Sequence, residues 1–161
     1  MDFIHFIIFS CNSYSRRFGR FSSTWSSNKT FGYRFVLYEK IKITKLKRAY
    51  GSKWSIWHED GTLIHSQSVD GCSVCWTEFD PDSEIVLDPG TYHIGIYQTG
   101  NGWYRRGWGH GDYYQSFRHG VVERAAYSDG DQFPNVWTWF NDYGFMVDFE
   151  YELVDPVKKH Q

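Results

Sequence analysis

Hydrophobic and polar residues alternate along most of the chain with a period of two. The alternation is clearest over residues 31–38, 91–98 and 144–154, where aromatic or aliphatic side chains recur at every second position. This period places one set of side chains on a buried face and the other toward solvent, as in a β-strand. No comparable stretch keeps the period of an amphipathic helix. The pattern therefore predicts an all-β domain.

Turn signals divide the pattern into short strands. Glu59-Asp60-Gly61 predicts a tight hairpin, and Asp88-Pro89-Gly90 predicts a turn. The strands predicted between such signals lie near residues 31–38, 41–48, 53–58, 62–69, 73–79, 84–88, 91–98, 121–127, 135–140 and 144–154. Their number favours a two-sheet antiparallel β-sandwich of jelly-roll-like form. The apolar residues expected to face its core are Phe35, Ile43, Ile56, Leu63, Leu87, Tyr92, Ile94, Val147 and Phe149.

The length of 161 residues fits one domain with a two-layer core. We expect an N-terminal arm or lead-in strand over residues 1–30, the sandwich over 31–155 and a tail over 156–161. The apolar run at 3–9 has no basic flank, so an edge strand or ordered arm is expected there. A secretory or lipoprotein signal ending near Cys11 is the alternative. No stretch is long enough to span a membrane.

Charge is nearly balanced, with a formal net charge of −2, which argues against a nucleic-acid partner. A basic run nevertheless stands out, formed by Lys40, Lys42, Lys45, Lys47, Arg48 and Lys53. We expect it to mark a charged sheet edge that discourages pairing with other chains. Strand alternation would place Lys40 and Lys42 on one face and the next two lysines on the other. A site for a polyanion is the alternative.

Residues 100–120 interrupt the strand pattern with six glycines, six aromatic residues and three arginines. Insertions of this length in compact domains are usually functional or locally ordered. Trp, Tyr and Arg dominate protein-interface hot spots, and aromatic faces also stack on sugar rings. The candidate ligand-binding residues are Trp103, Tyr104, Arg105, Trp108, Tyr113, Tyr114 and Arg118. A lid that folds over the open end of the sandwich would use the same aromatic residues.

Other groups offer chemistry on weaker grounds. His110, Asp112 and His119 carry side chains suited to a metal or to acid–base catalysis, although their spacing matches no metalloenzyme motif. Cys72 and Cys75 have metal or redox spacing, but a structural zinc site would need a second pair, so free thiols are expected; a local turn that holds a disulfide or a metal is the alternative. The acidic turns at 80–84 and 129–131 leave calcium open as a ligand; backbone capping is the ordinary role of such carboxylates.

Several stretches, taken in order, resemble the domain of unknown function 4082 family. They are Phe31-Gly32-Tyr33-Arg34-Phe35, Ile41-Lys42-Ile43-Thr44-Lys45-Leu46, Trp54-Ser55-Ile56-Trp57, Asp60-Gly61-Thr62-Leu63, Leu87-Asp88-Pro89-Gly90-Thr91-Tyr92, Gly130-Asp131-Gln132-Phe133-Pro134 and residues 143–149. The resemblance implies a β-sandwich of secreted or cell-surface proteins, often a non-catalytic appendage to larger ones. It offers no catalytic residue to transfer.

These observations together predict a non-catalytic module for binding or surface assembly. It would contact a glycan or a protein through exposed aromatic residues, with no catalytic residue and no required cofactor. Two other classes stay open. One is a small metal-dependent or hydrolytic enzyme built on His110, Asp112 and His119. The other is a structural subunit that packs by its edges into a homo-oligomer or filament.

Overall fold

The computed structural model describes residues 6–7, 23–25, 28–70, 76–99, 102–104, 115–138 and 147–155. These residues form fourteen strands and no helix. All strand pairs are antiparallel, and the strands are arranged in two main sheets and a two-stranded ribbon. The prediction of an all-β, two-sheet antiparallel sandwich is thus confirmed.

The larger sheet has seven strands, and we call it the large sheet. Its order is β11 (Gln115–Phe117), β12 (Gly120–Asp129), β3 (Lys29–Leu37), β9 (Gly90–Gln98), β5 (Lys53–His58) and β6 (Leu63–Ser68), with β13 (Val136–Thr138) also on β12. Both β11 and β13 pair with the edge of β12 that faces away from β3. They meet that edge at opposite ends, on either side of a bulge at Glu123.

The small sheet has five strands. Its order is β1 (Phe6–Ile7), β14 (Val147–Leu153), β4 (Ile41–Arg48) and β7 (Thr77–Phe79), with β8 (Val86–Leu87) also on β4. The ribbon consists of β2 (Ser23–Trp25) and β10 (Gly102–Tyr104).

The core lies between the two sheets and is rich in aromatic side chains. Phe35 of the large sheet and Phe149 of the small sheet pack with ring centroids 5.3 Å apart. Polar groups also join the layers at Asp148. The Tyr33 hydroxyl donates to the Asp148 carboxylate at 3.3 Å, and the Trp54 indole N–H donates to the Asp148 carbonyl oxygen at 3.1 Å. These bonds satisfy the polar atoms of large aromatic residues in a dry interior.

Eight of the nine predicted core residues are buried, and Leu63 is the exception at 53% exposure. The reason is a register shift in the β5–β6 pair. Ile56 lies opposite His65, but its neighbour Trp57 lies opposite Leu63, so Ile64 is an extra residue in β6. Ile64 packs against the core, and Leu63 turns to the outer side. A bulge of this kind reverses the phase of the side chains beyond it.

The prediction that the basic run forms a sheet edge is wrong. β4 pairs with β14 along its whole length and with β7 and β8 on its other side, so it is an interior strand. Backbone pairing on both sides depends on tertiary arrangement, which the local charge pattern does not report.

The predicted alternation of the lysines is also wrong, because β4 carries a bulge at Thr44. Tyr151 lies opposite Ile43 and Glu150 lies opposite Lys45, which leaves Thr44 as the extra residue. Ile41, Ile43 and Leu46 are all buried in the core. The lysines between and beyond them, Lys42, Lys45 and Lys47, consequently share the outer face of the small sheet.

Strand boundaries differ from the sequence prediction mainly where strands are short. The strand predicted near 73–79 is observed as β7, while Cys72 and Cys75 lie outside the described residues, as does Cys11. The predicted insertion at 100–120 contains β10 and β11, which the loss of alternation did not indicate. The predicted tail at 156–161 also lies outside the described residues.

Candidate functional site: the outer face of the large sheet

The predicted aromatic segment is described only in part. The backbones of Trp103 and Tyr104 belong to β10 and lie opposite Thr24 and Ser23 of β2. Arg118 is exposed in the turn between β11 and β12. Four other predicted ligand-binding residues lie outside the described part of the chain, namely Arg105, Trp108, Tyr113 and Tyr114. A binding role for this segment stays a prediction.

A second surface with the same residue types lies on the outer face of the large sheet. Strand alternation creates it, because His93 lies between the core residues Tyr92 and Ile94, and Arg34 lies between Tyr33 and Phe35. These side chains therefore leave the sheet on the side away from the small sheet. We call the group the outer-face cluster; its members are Arg34, Trp57, His93, Arg124, Phe133 and Trp137.

The segment from Gly130 to Thr138 covers the middle of this face. Its β13 portion pairs with β12, which brings Trp137 opposite Ala126. The Phe133 ring lies 4.6 Å from the His93 ring and meets Trp57 edge-on at 6.0 Å. The Trp137 ring lies 5.1 Å from His93 on the same side of the sheet. Aromatic pairs at these separations prefer such tilted arrangements and stabilise the covering segment.

His93 is buried at 1% exposure beneath this cover. Neither of its ring nitrogens has a hydrogen-bond partner among the residues that the structure describes. Burial and the nearby Arg34 and Arg124 guanidinium groups lower the pKa of His93 to about 4, against a smaller opposing effect of Glu59. The imidazole is consequently neutral at physiological pH.

Arg34 lies at the centre of a charged fork beside His93. One guanidinium nitrogen donates to the Glu123 carboxylate and another donates to the Glu59 carboxylate. Glu123 belongs to the bulge of β12, and Glu59 belongs to the β5–β6 turn, so two separate elements hold the Arg34 side chain. A planar guanidinium held in this way presents its donors in a fixed plane.

Trp137 is the exposed aromatic member of the cluster, with 42% of its surface accessible. The Arg124 guanidinium lies over its ring at 4.1 Å from the centroid. This distance is well within the range of a cation–π contact. An indole held between a guanidinium and a buried imidazole loses little conformational entropy when something binds to its exposed part.

His119, a residue of the alternative metal or hydrolytic site, is buried in the turn between β11 and β12. Its Nδ1 lies 3.0 Å from the Tyr151 hydroxyl, and its Nε2 lies 3.3 Å from the Glu39 carboxylate. Burial raises the pKa of Tyr151, so the phenol keeps its proton, and the His119 tautomer decides which of the two atoms donates. Both His119 nitrogens therefore face protein groups. His110 and Asp112 lie outside the described residues.

A hydroxyl, an imidazole and a carboxylate meet at the edge strand β6. His65 Nδ1 lies 3.2 Å from Ser83 Oγ, and its Nε2 lies 3.1 Å from Gln67 Oε1 and 3.3 Å from Asp82 Oδ1. Catalytic triads join the same three groups, but with the serine at Nε2 and the carboxylate at Nδ1. Here the Asp82 backbone N–H also donates to Gln67 Oε1 at 2.8 Å. We interpret these contacts around His65 as structural hydrogen bonds that connect β6 to the exposed turn between β7 and β8.

The carboxylates of the acidic turns at 80–84 and 129–131 form ion pairs with basic side chains. Glu84 pairs with Lys42 at 3.0 Å, and Asp131 pairs with Lys53 at 2.8 Å. The remaining partners are Lys45 for Asp80, His65 for Asp82 and Lys29 for Asp129. Within the described ranges, no group of three or more His, Cys, Asp or Glu side chains is placed to hold a metal ion.

Comparisons with known proteins leave the family open. No protein-family model matches the sequence, and no curated protein matches it. The resemblance to the domain of unknown function 4082 family therefore stays a prediction. In the part of the chain that the structure describes, no helix has the length and hydropathy that crossing a membrane requires.

Sequence reasoning missed the outer-face cluster because its parts lie far apart in the chain. The alternation in β3 and β9 already indicated that Arg34 and His93 leave the core. The missing information was the pairing of β13 with β12, which places Trp137 over them. An apolar Phe133-Pro134 pair two residues after the Asp129-Gly130 turn was the available signal, since such residues need a surface to cover.

Proposed function

We propose that this protein is a non-catalytic binding module whose contact surface is the outer-face cluster. It would bind a glycan or another protein and leave it chemically unchanged. The predicted aromatic residues of the 100–120 segment would form a second contact surface of the same composition.

The observation that carries the proposal is the exposed Trp137 indole under the Arg124 guanidinium. Burying such a residue is among the largest single gains that a protein surface offers to a ligand or partner. Tryptophan left 42% exposed on a sheet face, with neighbours that fix its orientation, is a preorganised contact rather than part of the core.

The opposite outer face of the molecule supports this choice by contrast. On the small sheet, Lys42, Lys45 and Lys47 are each within ion-pairing distance of a carboxylate. That face presents fixed charges whose partners are already supplied by the protein. The large sheet instead presents aromatic surface, so burying its outer face in a complex would contribute more binding free energy.

The test compares Trp137→Ala with Tyr38→Ala on a glycan array and in a peptide phage-display selection. Tyr38 is a matched control because it is the most exposed aromatic residue described, at 61%, and lies outside the cluster. We expect Trp137→Ala to lose at least about tenfold in affinity for the selected ligand, as removal of a hot-spot residue does. Tyr38→Ala should bind like the parent protein.

Thermal melting of both variants separates binding from folding. We expect each melting temperature to stay within a few degrees of the parent value, because neither side chain belongs to the core. If no ligand is found, or if Trp137→Ala binds normally, the outer-face cluster is not the contact surface.

A further inference from the structure

We propose that the ligand of the outer-face cluster is a neutral, hydroxyl-rich saccharide rather than a polyanion or a peptide. This inference rests on the proposed function and specifies its ligand.

Charge is balanced across the cluster and the two carboxylates that pair with its Arg34. Arg34 and Arg124 contribute two cations, and Glu59 and Glu123 contribute two carboxylates. His93 adds no charge, because burial and the adjacent guanidinium groups hold its pKa at about 4. A surface of this kind gives a polyanion no net attraction, and a cationic ligand would have to compete with Arg34 for the same carboxylates.

Donors and acceptors stand side by side around Arg34. A guanidinium has five N–H donors, and a carboxylate can accept about four hydrogen bonds. The ion pairs of Arg34 with Glu59 and Glu123 therefore leave further donors on the guanidinium and further acceptor positions on the carboxylates. The Glu59 side chain is 56% exposed and its partner Arg34 is 17% exposed, so this capacity reaches the surface. A sugar hydroxyl donates and accepts at the same atom, and neighbouring hydroxyls match alternating acceptors and donors.

Trp137 supplies the apolar part of the site. Its ring packs on His93 at 5.1 Å and under Arg124 at 4.1 Å, and Arg124 also lies beside the charged fork in β12. The C–H groups of a sugar ring would contact the exposed indole while its hydroxyls reach the fork. Because both halves are held by the large sheet, little ordering is needed when the ligand binds.

The experiment measures binding of soluble neutral polysaccharides, namely a β-glucan, a galactan and a mannan, beside heparin, polygalacturonate and a peptide phage library. We expect binding to at least one neutral polysaccharide, with a dissociation constant that changes less than about twofold between 50 and 500 mM NaCl. A polyanion held by arginines would weaken steeply over that range.

Two matched substitutions locate the contact. Glu59→Gln replaces one carboxylate of the fork with a neutral amide and should weaken saccharide binding by about tenfold, because hydrogen bonds to a charged group are stronger than those to a neutral one. Glu84→Gln removes an equivalent exposed carboxylate, paired with Lys42 on the opposite sheet, and should change nothing. Equal effects of the two substitutions would overturn the proposal.

The outcomes for ligand class and for function are distinguishable. Binding to heparin, polygalacturonate or a selected peptide that is lost in Trp137→Ala would overturn the saccharide inference and leave the binding module intact. Binding that Trp137→Ala does not affect, whatever the ligand, would overturn both.

Discussion

At the scale of single residues, His93 shows how a strand position can lose the environment that its sequence predicts. Alternation places it on the outer side of the large sheet, where a histidine would normally meet water. Phe133 and Trp137 instead exclude water from it, and neither nitrogen gains a hydrogen bond within the described residues. Two cationic neighbours, Arg34 and Arg124, further oppose its protonation.

This arrangement predicts a loss of stability in acid. A histidine in the unfolded chain titrates near pH 6.5, whereas burial and two guanidinium groups lower the pKa of His93 in the folded protein to about 4. The unfolded state therefore binds the proton first, so stability falls as the pH drops through 6.5 toward 4. The shift corresponds to about 3 kcal/mol.

The measurement is urea unfolding at several pH values for the parent and for His93→Phe. The variant should lose markedly less stability than the parent between pH 6.5 and 4. At pH 7 it should be as stable as the parent or more so, because it removes two buried nitrogens without partners. Parallel pH profiles would show that His93 is solvated or hydrogen-bonded in solution.

At the scale of elements, β4 shows how a run of like charge is accommodated inside a sheet. Lys47 has a 4% exposed side chain and lies within 2.6 Å of Glu150 on β14 and 3.1 Å of Glu78 on β7. Burial opposes its charge, but the bonds to Glu150 and Glu78 together raise the pKa of Lys47. A central lysine thus joins the strands on both of its sides.

Removing Lys47 should cost far more than removing its neighbour Lys45. Lys47→Ala leaves Glu150, whose side chain is 14% exposed, without its cation, and we expect a loss of about 3 kcal/mol in the free energy of unfolding. Lys45 pairs with Asp80, which is 82% exposed, so Lys45→Ala should leave stability almost unchanged. Chemical denaturation of both variants checks this; similar losses would mean that solvent screens the Lys47 pairs as well.

The sequence predicted the positions of the strands better than it predicted which strands pair with one another. Period-two patterns in β3, β9 and β14 identified strands and most of the core, because a buried face requires a hydrophobic residue at every second position of the sequence. The bulges at Ile64 and Thr44 produce no recognisable sequence pattern, so Leu63 and the lysines of β4 were assigned to the wrong faces. Pairing of β13 with β12, which completes the candidate site, is likewise a tertiary event.

At the scale of the whole molecule, the core between the sheets should dominate stability. Ile94 is fully buried in the large sheet, so Ile94→Ala should cost about 2–5 kcal/mol through lost burial and an unfilled cavity. Leu63→Ala, at a site 53% exposed, should stay within about 0.5 kcal/mol of the parent. Denaturant melts of the two variants make the comparison; a small loss for Ile94→Ala would mean that β9 is turned the other way.

The two outer faces of the sandwich also differ in kind. Both present basic side chains paired with carboxylates, but the face of the large sheet also presents an exposed indole over a covered imidazole. Because the two outer faces differ in this way, we expect the molecule to adopt a preferred orientation at an interface. At a polysaccharide layer or a partly apolar phase, the face with Trp137 would contact the layer and the lysine-bearing face of the small sheet would point toward bulk water. The fold would then set the orientation of whatever is joined to it.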